Sequence, residues 1–183
     1  MMLTEYIISE TEKLVNKYGT NDPYLICSAR GIRIRRMDLN RKLKGYYFYV
    51  SRIENIVIDE NLPDFFCRIL VAHELGHAVL HRRTAMMKGF AEPDIPLSCD
   101  KEDSMERDAN LFAAELLLDD EEVASLLKEH TFFETARLLG VPAALLDFKF
   151  YLMHKKGYAL CDMQLAKPDF LKDKTLYPNT ESL

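Results

Sequence analysis

The sequence predicts an α+β fold in which a small three-stranded sheet is followed by a series of helices. Between residues 32 and 59, three short segments alternate polar and apolar side chains or are rich in β-branched and aromatic residues, which is typical of strands. After Asn61 the apolar residues recur with helical spacing, and capping residues separate the segments. Strands and helices that are grouped along the chain, and do not alternate, favour the α+β class.

Length and charge restrict the class of protein further. The chain has 183 residues, of which 48% are hydrophobic and 29% are charged, and this balance is typical of one soluble globular domain. No apolar run reaches about 18 residues, so we expect no membrane-spanning helix. The N-terminus reaches an acidic residue before any apolar run and no cysteines form a CxxC pair, so we expect a cytoplasmic protein with reduced thiols. The net charge of −5 argues against direct nucleic-acid binding.

Two helices are predicted before the strands. Thr4 can cap the first helix, which Gly19 ends. Asp22 is the expected N-cap of the second helix, with Pro23 in its first turn and Gly31 at its end.

The three predicted strands cover residues 32–35, 46–50 and 55–59. We expect two hairpin-like connections between them, with the third strand at an edge of the sheet, where a substrate segment could add as a further strand. Arginines and lysines crowd the first strand and the turn after it, and we interpret them as a solvated hairpin and not as a nucleic-acid surface.

Two long helices are predicted next. Asn61 is the expected N-cap of the first, which begins at Pro63 and runs to about His81. A loop rich in proline and glycine covers residues 84–99, and the second long helix covers residues 101–118 after Asp100 as its cap.

The remaining helices form a smaller unit. A helix restarts at Asp119 and Asp120, a capping box of Thr131 and Glu134 begins the next one, and Pro142 opens the last. The final pair resembles a helix-turn-helix, but its second helix begins with apolar residues, which favours packing or substrate recognition over DNA reading. We therefore expect a core of residues 1–118, a helix-turn-helix-like subdomain of the same domain at 119–157, and a polar tail at 158–183.

The first long helix contains the motif His73-Glu74-Leu75-Gly76-His77, which has the pattern H-E-x-x-H. On a helix His77 lies about 40° round from His73 and one turn along, so both imidazoles can share a metal ion. Glu74 is placed to reach a water on that metal without being a ligand, as a general base must. The motif therefore predicts a catalytic metal site, for which zinc requires a third protein ligand.

Three histidines spaced by four along one rigid helix converge poorly on one ion, which argues against His81 as that ligand. The longer pattern H-E-x-x-H-x-x-G-x-x-H is excluded, because Leu80 stands at the glycine position and Arg83 at the third histidine. His81 stays a candidate for a supporting or substrate-binding role.

Glu106, on the second long helix, is the candidate third ligand. Asn110 shares its face at i+4 and can hydrogen-bond a ligand from behind, and small residues nearby allow the two long helices to approach closely. Asp103 and Asp108 are alternatives, although the helical spacing turns Asp108 outward.

The H-E-x-x-H motif with His81, followed by Glu106-x-x-Ala109-Asn110-x-Phe112-Ala113-Ala114-Glu115-Leu116-Leu117, resembles the ImmA/IrrE family of bacterial metallopeptidases. The resemblance extends over residues 4–157 and implies a zincin-like domain. It implies zinc bound by His73, His77 and Glu106, with Glu74 as general base. It also implies a helix-turn-helix repressor of a phage or mobile element as the substrate. One departure is visible: the family often continues Leu-Leu-Met-Pro, where this chain has Leu118 and Asp119 after two leucines.

Two questions stay open in the sequence. The sequence does not select the residue that stabilises the oxyanion of the reaction. The candidates are His81, His130, His154, Tyr47, Tyr49 and Tyr151. The alternative to an enzyme is a non-proteolytic binding module that sequesters a regulator or binds DNA, with a structural metal or none.

Overall fold

A computed structural model describes residues 4–40, 43–88 and 99–158 of the chain. The α+β class is confirmed, with a three-stranded sheet among helices. The elements are α1 (Thr4–Tyr18), α2 (Pro23–Arg30), β1 (Arg33–Met37), β2 (Gly45–Val50), β3 (Ile53–Asp59), α3 (Asp64–Leu80), α4 (Arg82–Lys88), α5 (Cys99–Leu117), α6 (Asp120–Glu129), α7 (Phe132–Leu138) and α8 (Ala143–Lys155). Within the described ranges no helix is long and apolar enough to cross a membrane.

The sheet has the order β1-β3-β2, with β3 parallel to β1 and antiparallel to β2. Two expectations are therefore wrong: among the described strands only β2 and β3 form a hairpin, and β3 is the central strand of this sheet. The physical reason lies in burial. Residues 55–59 are all buried, as a strand covered on both faces requires, whereas β1 is largely exposed and rich in arginine, as suits an edge.

Gly19 follows the last residue of α1 as predicted, but Thr4 is the first described residue of this helix and lies inside it, so it is not the expected cap. The second helix begins and ends as predicted. The Asp22 side chain accepts a hydrogen bond from the backbone N–H of Tyr24 at 2.8 Å, and Pro23 occupies the first turn of α2. Gly31 ends α2 in the left-handed conformation at φ +74°, which a residue without a β-carbon adopts at least cost.

The boundaries around α3 differ from those predicted. Pro63, and not Asn61, is the N-cap, because the Asp59 carboxylate engages both the backbone and the side-chain nitrogen of Asn61 in a turn. The loop expected from Thr84 is wrong in its first part, since α4 continues through good helix formers to Lys88, and residues 89–98 lie outside the described residues.

α5 begins at Cys99, so Asp100 lies inside the helix and is not its cap. It packs closely against α3, and a β-carbon built on Gly76 would lie 3.2 Å from the Ala109 Cα and 3.1 Å from Phe112. The small residues that the sequence places at this crossing do bring the two helices together. α5 also contacts α1 and α8, and one apolar core runs through all of these helices.

The C-terminal helices are capped as predicted. Asp119 is the N-cap of α6, and Thr131 and Glu134 form the reciprocal capping box of α7. α8 follows Pro142 and packs against α5 and α7. Of the expected tail at 158–183, Tyr158 is described, and residues 159–183 lie outside the described residues.

Beneath α8 a buried ion network joins three helices. The Lys149 ammonium, in a side chain 2% exposed, lies 3.0 Å from a Glu115 oxygen, and Lys156 binds Asp120 at 2.6 Å. Lys149 also pairs with Asp120, and Lys156 with Glu115, so each charge in the cluster has two opposite neighbours.

Candidate metal centre

Two histidines face each other one turn apart on α3. The Nε2 atoms of His73 and His77 lie 3.2 Å apart, and the His73 side chain is 3% exposed. This is the juxtaposition that the H-E-x-x-H spacing predicts for a helix.

Glu106 of α5 completes the cluster. One of its carboxylate oxygens lies 3.2 Å from His73 Nε2, and the other lies 3.4 Å from His77 Nε2. One ring nitrogen of His73, one of His77 and one carboxylate oxygen of Glu106 all lie within 4.8 Å of one another. The carboxylate reaches the histidines because α3 and α5 cross closely at Gly76 and Ala109.

The geometry of these atoms fits a zinc ion. Bonds of about 2.0–2.1 Å at tetrahedral angles separate neighbouring ligand atoms by about 3.4 Å. The two Nε2 atoms are 3.2 Å apart, and each lies 3.2 or 3.4 Å from a different oxygen of the Glu106 carboxylate, so these pairwise separations are close to that value. Two imidazoles and one carboxylate are also a donor set that catalytic zinc sites use.

The charge of Glu106 is strongly favoured in this position. Burial alone would raise its pKa, but hydrogen bonds from His73 and His77 and the attraction of both rings outweigh burial and hold the pKa well below its ordinary value. The carboxylate is therefore ionised at neutral pH, as a metal ligand must be.

Glu74 lies beside the cluster but is not part of it. Its side chain is buried, and burial raises its pKa from 4.5 to about 7, against the lowering effects of His77 and of a hydrogen bond from the Tyr47 backbone. Asp59 N–H donates to Lys44 C=O, so these two residues are a hydrogen-bonded pair of the β2–β3 ladder. Hydrogen-bonded pairs alternate with non-bonded pairs along antiparallel strands, and Tyr47 belongs to a non-bonded pair. Its N–H therefore points away from β3, to the outer side of β2. Sequence reasoning did not find this contact, because it depends on which strand lies at the edge.

Asn110 contacts His73 from behind. The Asn110 Oδ1 atom lies 2.9 Å from His73 Nδ1, so the imidazole N–H donates and the amide oxygen accepts. The residue sits one turn after Glu106 on α5, which is the placement that the i+4 spacing predicts.

His81 lies outside the group of ligand atoms but touches it. Its Nδ1 is 3.2 Å from Nδ1 of His77, and its Nε2 is 3.6 Å from an Asp108 oxygen. The outward direction expected for Asp108 is wrong: the residue is 2% exposed and faces His81 at the end of α3, because α5 is buried on that side as well. The side chain of the other alternative, Asp103, is outside the described part of the structure.

The three tyrosines that the sequence offers as oxyanion donors each contact another side chain. The Tyr47 hydroxyl donates to Glu54 at 2.9 Å, and Arg82 stacks over the ring of Tyr49. The hydroxyl of Tyr151, in the C-terminal half of α8, lies 3.4 Å from the hydroxyl oxygen of Thr4.

An α+β domain in which two packed helices bring two histidines and a glutamate together beside a buried carboxyl group defines the class of metallopeptidases. A family model described as the IrrE N-terminal-like domain of peptidases matches residues 27–151. The chain therefore belongs to the ImmA/IrrE family of metallopeptidases, and membership implies a metal ion and a protein substrate.

Two relatives support this assignment. An immunity region protein 2 of Bacillus phage phi105 is 36% identical over 144 residues, which are 78% of this chain and 88% of the relative. The metallopeptidase ImmA of Bacillus subtilis (strain 168) is 30% identical over 159 residues, which are 81% of this chain and 88% of ImmA.

Proposed function

We propose that the protein is a zinc-dependent, site-specific endopeptidase that cleaves a helix-turn-helix repressor of a phage or mobile element. The observation that carries the proposal is the convergence of His73, His77 and Glu106, whose ligand atoms lie within 4.8 Å of one another. We assign these residues as the zinc ligands. Three protein ligands are the number found in catalytic zinc sites, which keep a fourth position for water, whereas structural sites use four.

Glu74 is the general base in this proposal. Zinc, when bound, lowers the pKa of its water toward neutrality and polarises a peptide carbonyl. The Glu74 carboxylate takes the proton of the attacking water and later delivers it to the nitrogen of the leaving amine. The Tyr47 N–H holds the carboxylate in place, and burial keeps bulk water from competing for that proton.

Asn110 is a positioning residue for zinc. Its amide oxygen accepts from His73 Nδ1, which keeps the proton on that nitrogen and leaves the Nε2 lone pair free for the metal. We also propose that residues 1–118 carry the chemistry and that 119–157, whose α8 packs against α5, support the helix that presents Glu106.

The edge of β2 is the proposed path of the substrate. In the described sheet β2 is an outer strand, and its Tyr47 N–H points toward Glu74. An extended segment that adds to this edge would run past the general base, with its backbone held by main-chain hydrogen bonds.

The repressor is proposed as the substrate from the family. The resemblance of the motifs implies such substrates, and the phage relative is named as an immunity region protein. A repressor is also a cytoplasmic protein, which agrees with the location expected from the sequence.

The first test is the zinc content of the purified protein, measured by elemental analysis after reconstitution. We expect about one zinc per chain in the wild type and a marked loss in Glu106→Ala. Glu129→Ala is the matched control, because Glu129 is an exposed glutamate on α6 and should not affect zinc content. A wild type that takes up no zinc would overturn the proposal and favour a binding module, whereas full zinc in Glu106→Ala would move the third ligand elsewhere.

The second test is cleavage of a helix-turn-helix repressor encoded beside this protein's gene. Cleavage at one peptide bond, lost with a chelator and restored by zinc, is expected. A repressor that is bound but never cut would support sequestration in place of proteolysis.

A further inference from the structure

We propose that His81 is a positioning residue, held by Asp108, that orients His77 toward the metal through a chain of two imidazoles and a carboxylate. The inference rests on the proposed zinc site. His81 closes α3 as its C-cap residue, one turn after His77, and its side chain is 6% exposed. It is therefore buried against the ligand cluster without being one of the ligand residues.

The two ligand histidines are supported in different ways. His73 Nδ1 donates to the amide oxygen of Asn110 at 2.9 Å. His77 Nδ1 lies 3.2 Å from His81 Nδ1. The partner of His77 is therefore an imidazole nitrogen, whereas the partner of His73 is an amide oxygen. A metal-bound histidine almost always donates its second ring N–H to an acceptor, and His81 supplies that acceptor here.

The positions of the protons follow from this contact. When His77 Nε2 faces the metal as a lone pair, its proton is on Nδ1 and is donated to His81 Nδ1. His81 then carries its own proton on Nε2. The opposite arrangement, with His81 donating, would place the proton of neutral His77 on Nε2 and block the metal.

Asp108 stabilises that tautomer of His81. The His81 Nε2 atom is buried without a hydrogen-bond partner among the described residues, and an Asp108 oxygen lies 3.6 Å from it. A carboxylate facing Nε2 favours the form with the proton on that nitrogen, which is the form that can accept from His77.

The arrangement also couples the two long helices. α5 supplies a ligand through Glu106, and two and four residues later it supplies the groups that face His81 and His73. One helix therefore presents the third ligand and supports both histidines of the other.

The test compares two substitutions that both remove the contact with Asp108. In His81→Asn the amide oxygen can still accept from His77 Nδ1, whereas His81→Phe fills the space without an acceptor. Zinc affinity, measured by competition with a chromophoric chelator, should fall by about 10- to 100-fold in His81→Phe. It should stay within a few-fold of the wild type in His81→Asn. A merely structural role would lower the affinity of both variants alike, and this result would overturn the inference.

A second readout uses the wild type and does not depend on the variants folding. In the zinc-loaded protein, the ¹⁵N resonances of His81 should show a protonated Nε2 and an unprotonated Nδ1. The opposite tautomer would overturn the inference while leaving the zinc site in place. A wild type that binds no zinc would remove the proposed function and this inference together, so the two failures are distinguishable.

Discussion

Gly76 of α3 and Ala109 of α5 meet where the two helices cross, and a β-carbon at Gly76 would stand 3.2 Å from the Ala109 Cα. The glycine lies between His73 and His77 in sequence, and the alanine lies three residues after Glu106. The separation of the helices at this crossing therefore determines whether the carboxylate of one helix reaches the imidazoles of the other.

Replacing Gly76 by valine should force the helices apart. The branched side chain would meet Ala109 and Phe112, and overpacking of this kind costs about 2 kcal/mol of unfolding free energy. We expect weaker zinc binding as well, because Glu106 would move away from His73. Ser125→Val, at an exposed position of α6, is the control, and its unfolding free energy and zinc affinity should change little. Equal zinc affinity in Gly76→Val and wild type would contradict this account of the crossing.

Replacing Glu74 by glutamine should strongly slow turnover and leave the metal bound. The amide oxygen can still accept from the Tyr47 N–H, so the fold is kept, but the side chain can no longer take a proton. We expect kcat for cleavage to fall by about 100-fold or more. Zinc content measured on the same sample is the control. Cleavage at the wild-type rate would exclude Glu74 as the base.

Replacing Asn110 by alanine should weaken zinc binding by about 10-fold, because His73 Nδ1 loses its acceptor. Asn110→Asp keeps an oxygen at the same position and should retain most of the affinity. Chelator competition on the three proteins checks the order. An alanine variant that binds zinc as tightly as the aspartate variant would show that this hydrogen bond does not position His73.

Features that depend on local rules could be predicted from the sequence. The cap of α2 at Asp22, the capping box at Thr131 and the facing of His73 and His77 each follow from residues within one or two helical turns. The placement of Asn110 is also local, since it repeats the i+4 spacing from Glu106.

Features that depend on distant pairing could not be predicted in the same way. Three consecutive short strands suggest two hairpins, whereas in the structure β3 pairs with both other strands and is buried, and β1 is an exposed edge. The burial of Asp108 is a similar case, because the residue pattern of one helix does not show that neighbouring elements cover it on more than one side. The position of β3 in the sheet and the direction of Asp108 were both predicted wrongly because each depends on which other elements pack against that part of the chain.

Replacing Lys149 by methionine should destabilise the fold by about 3 kcal/mol, because it leaves buried carboxylates with one positive neighbour in place of two. Chemical denaturation at pH 7 measures the effect. Lys128→Met, an exposed lysine on α6, is the control and should change the unfolding free energy by no more than a few tenths of a kcal/mol. A loss equal to that of the control would show that the network contributes no net stability.

The same network makes stability depend on acid through Asp120. Burial raises the pKa of this carboxyl, but hydrogen bonds from Lys149 and Lys156 outweigh burial and hold the pKa below its ordinary value of 3.8. A group whose pKa is lowered in the folded state stabilises the fold at pH values above its pKa in the unfolded state. This contribution is lost as the pH falls toward its pKa in the folded state. The free energy of unfolding of wild type should therefore exceed that of Asp120→Asn at neutral pH. The difference should shrink as the pH falls below 3.8 and the unfolded state takes up the proton first. Denaturant titrations of both proteins from pH 7 downward check this, and a difference that does not change with pH would exclude Asp120 as the titrating group.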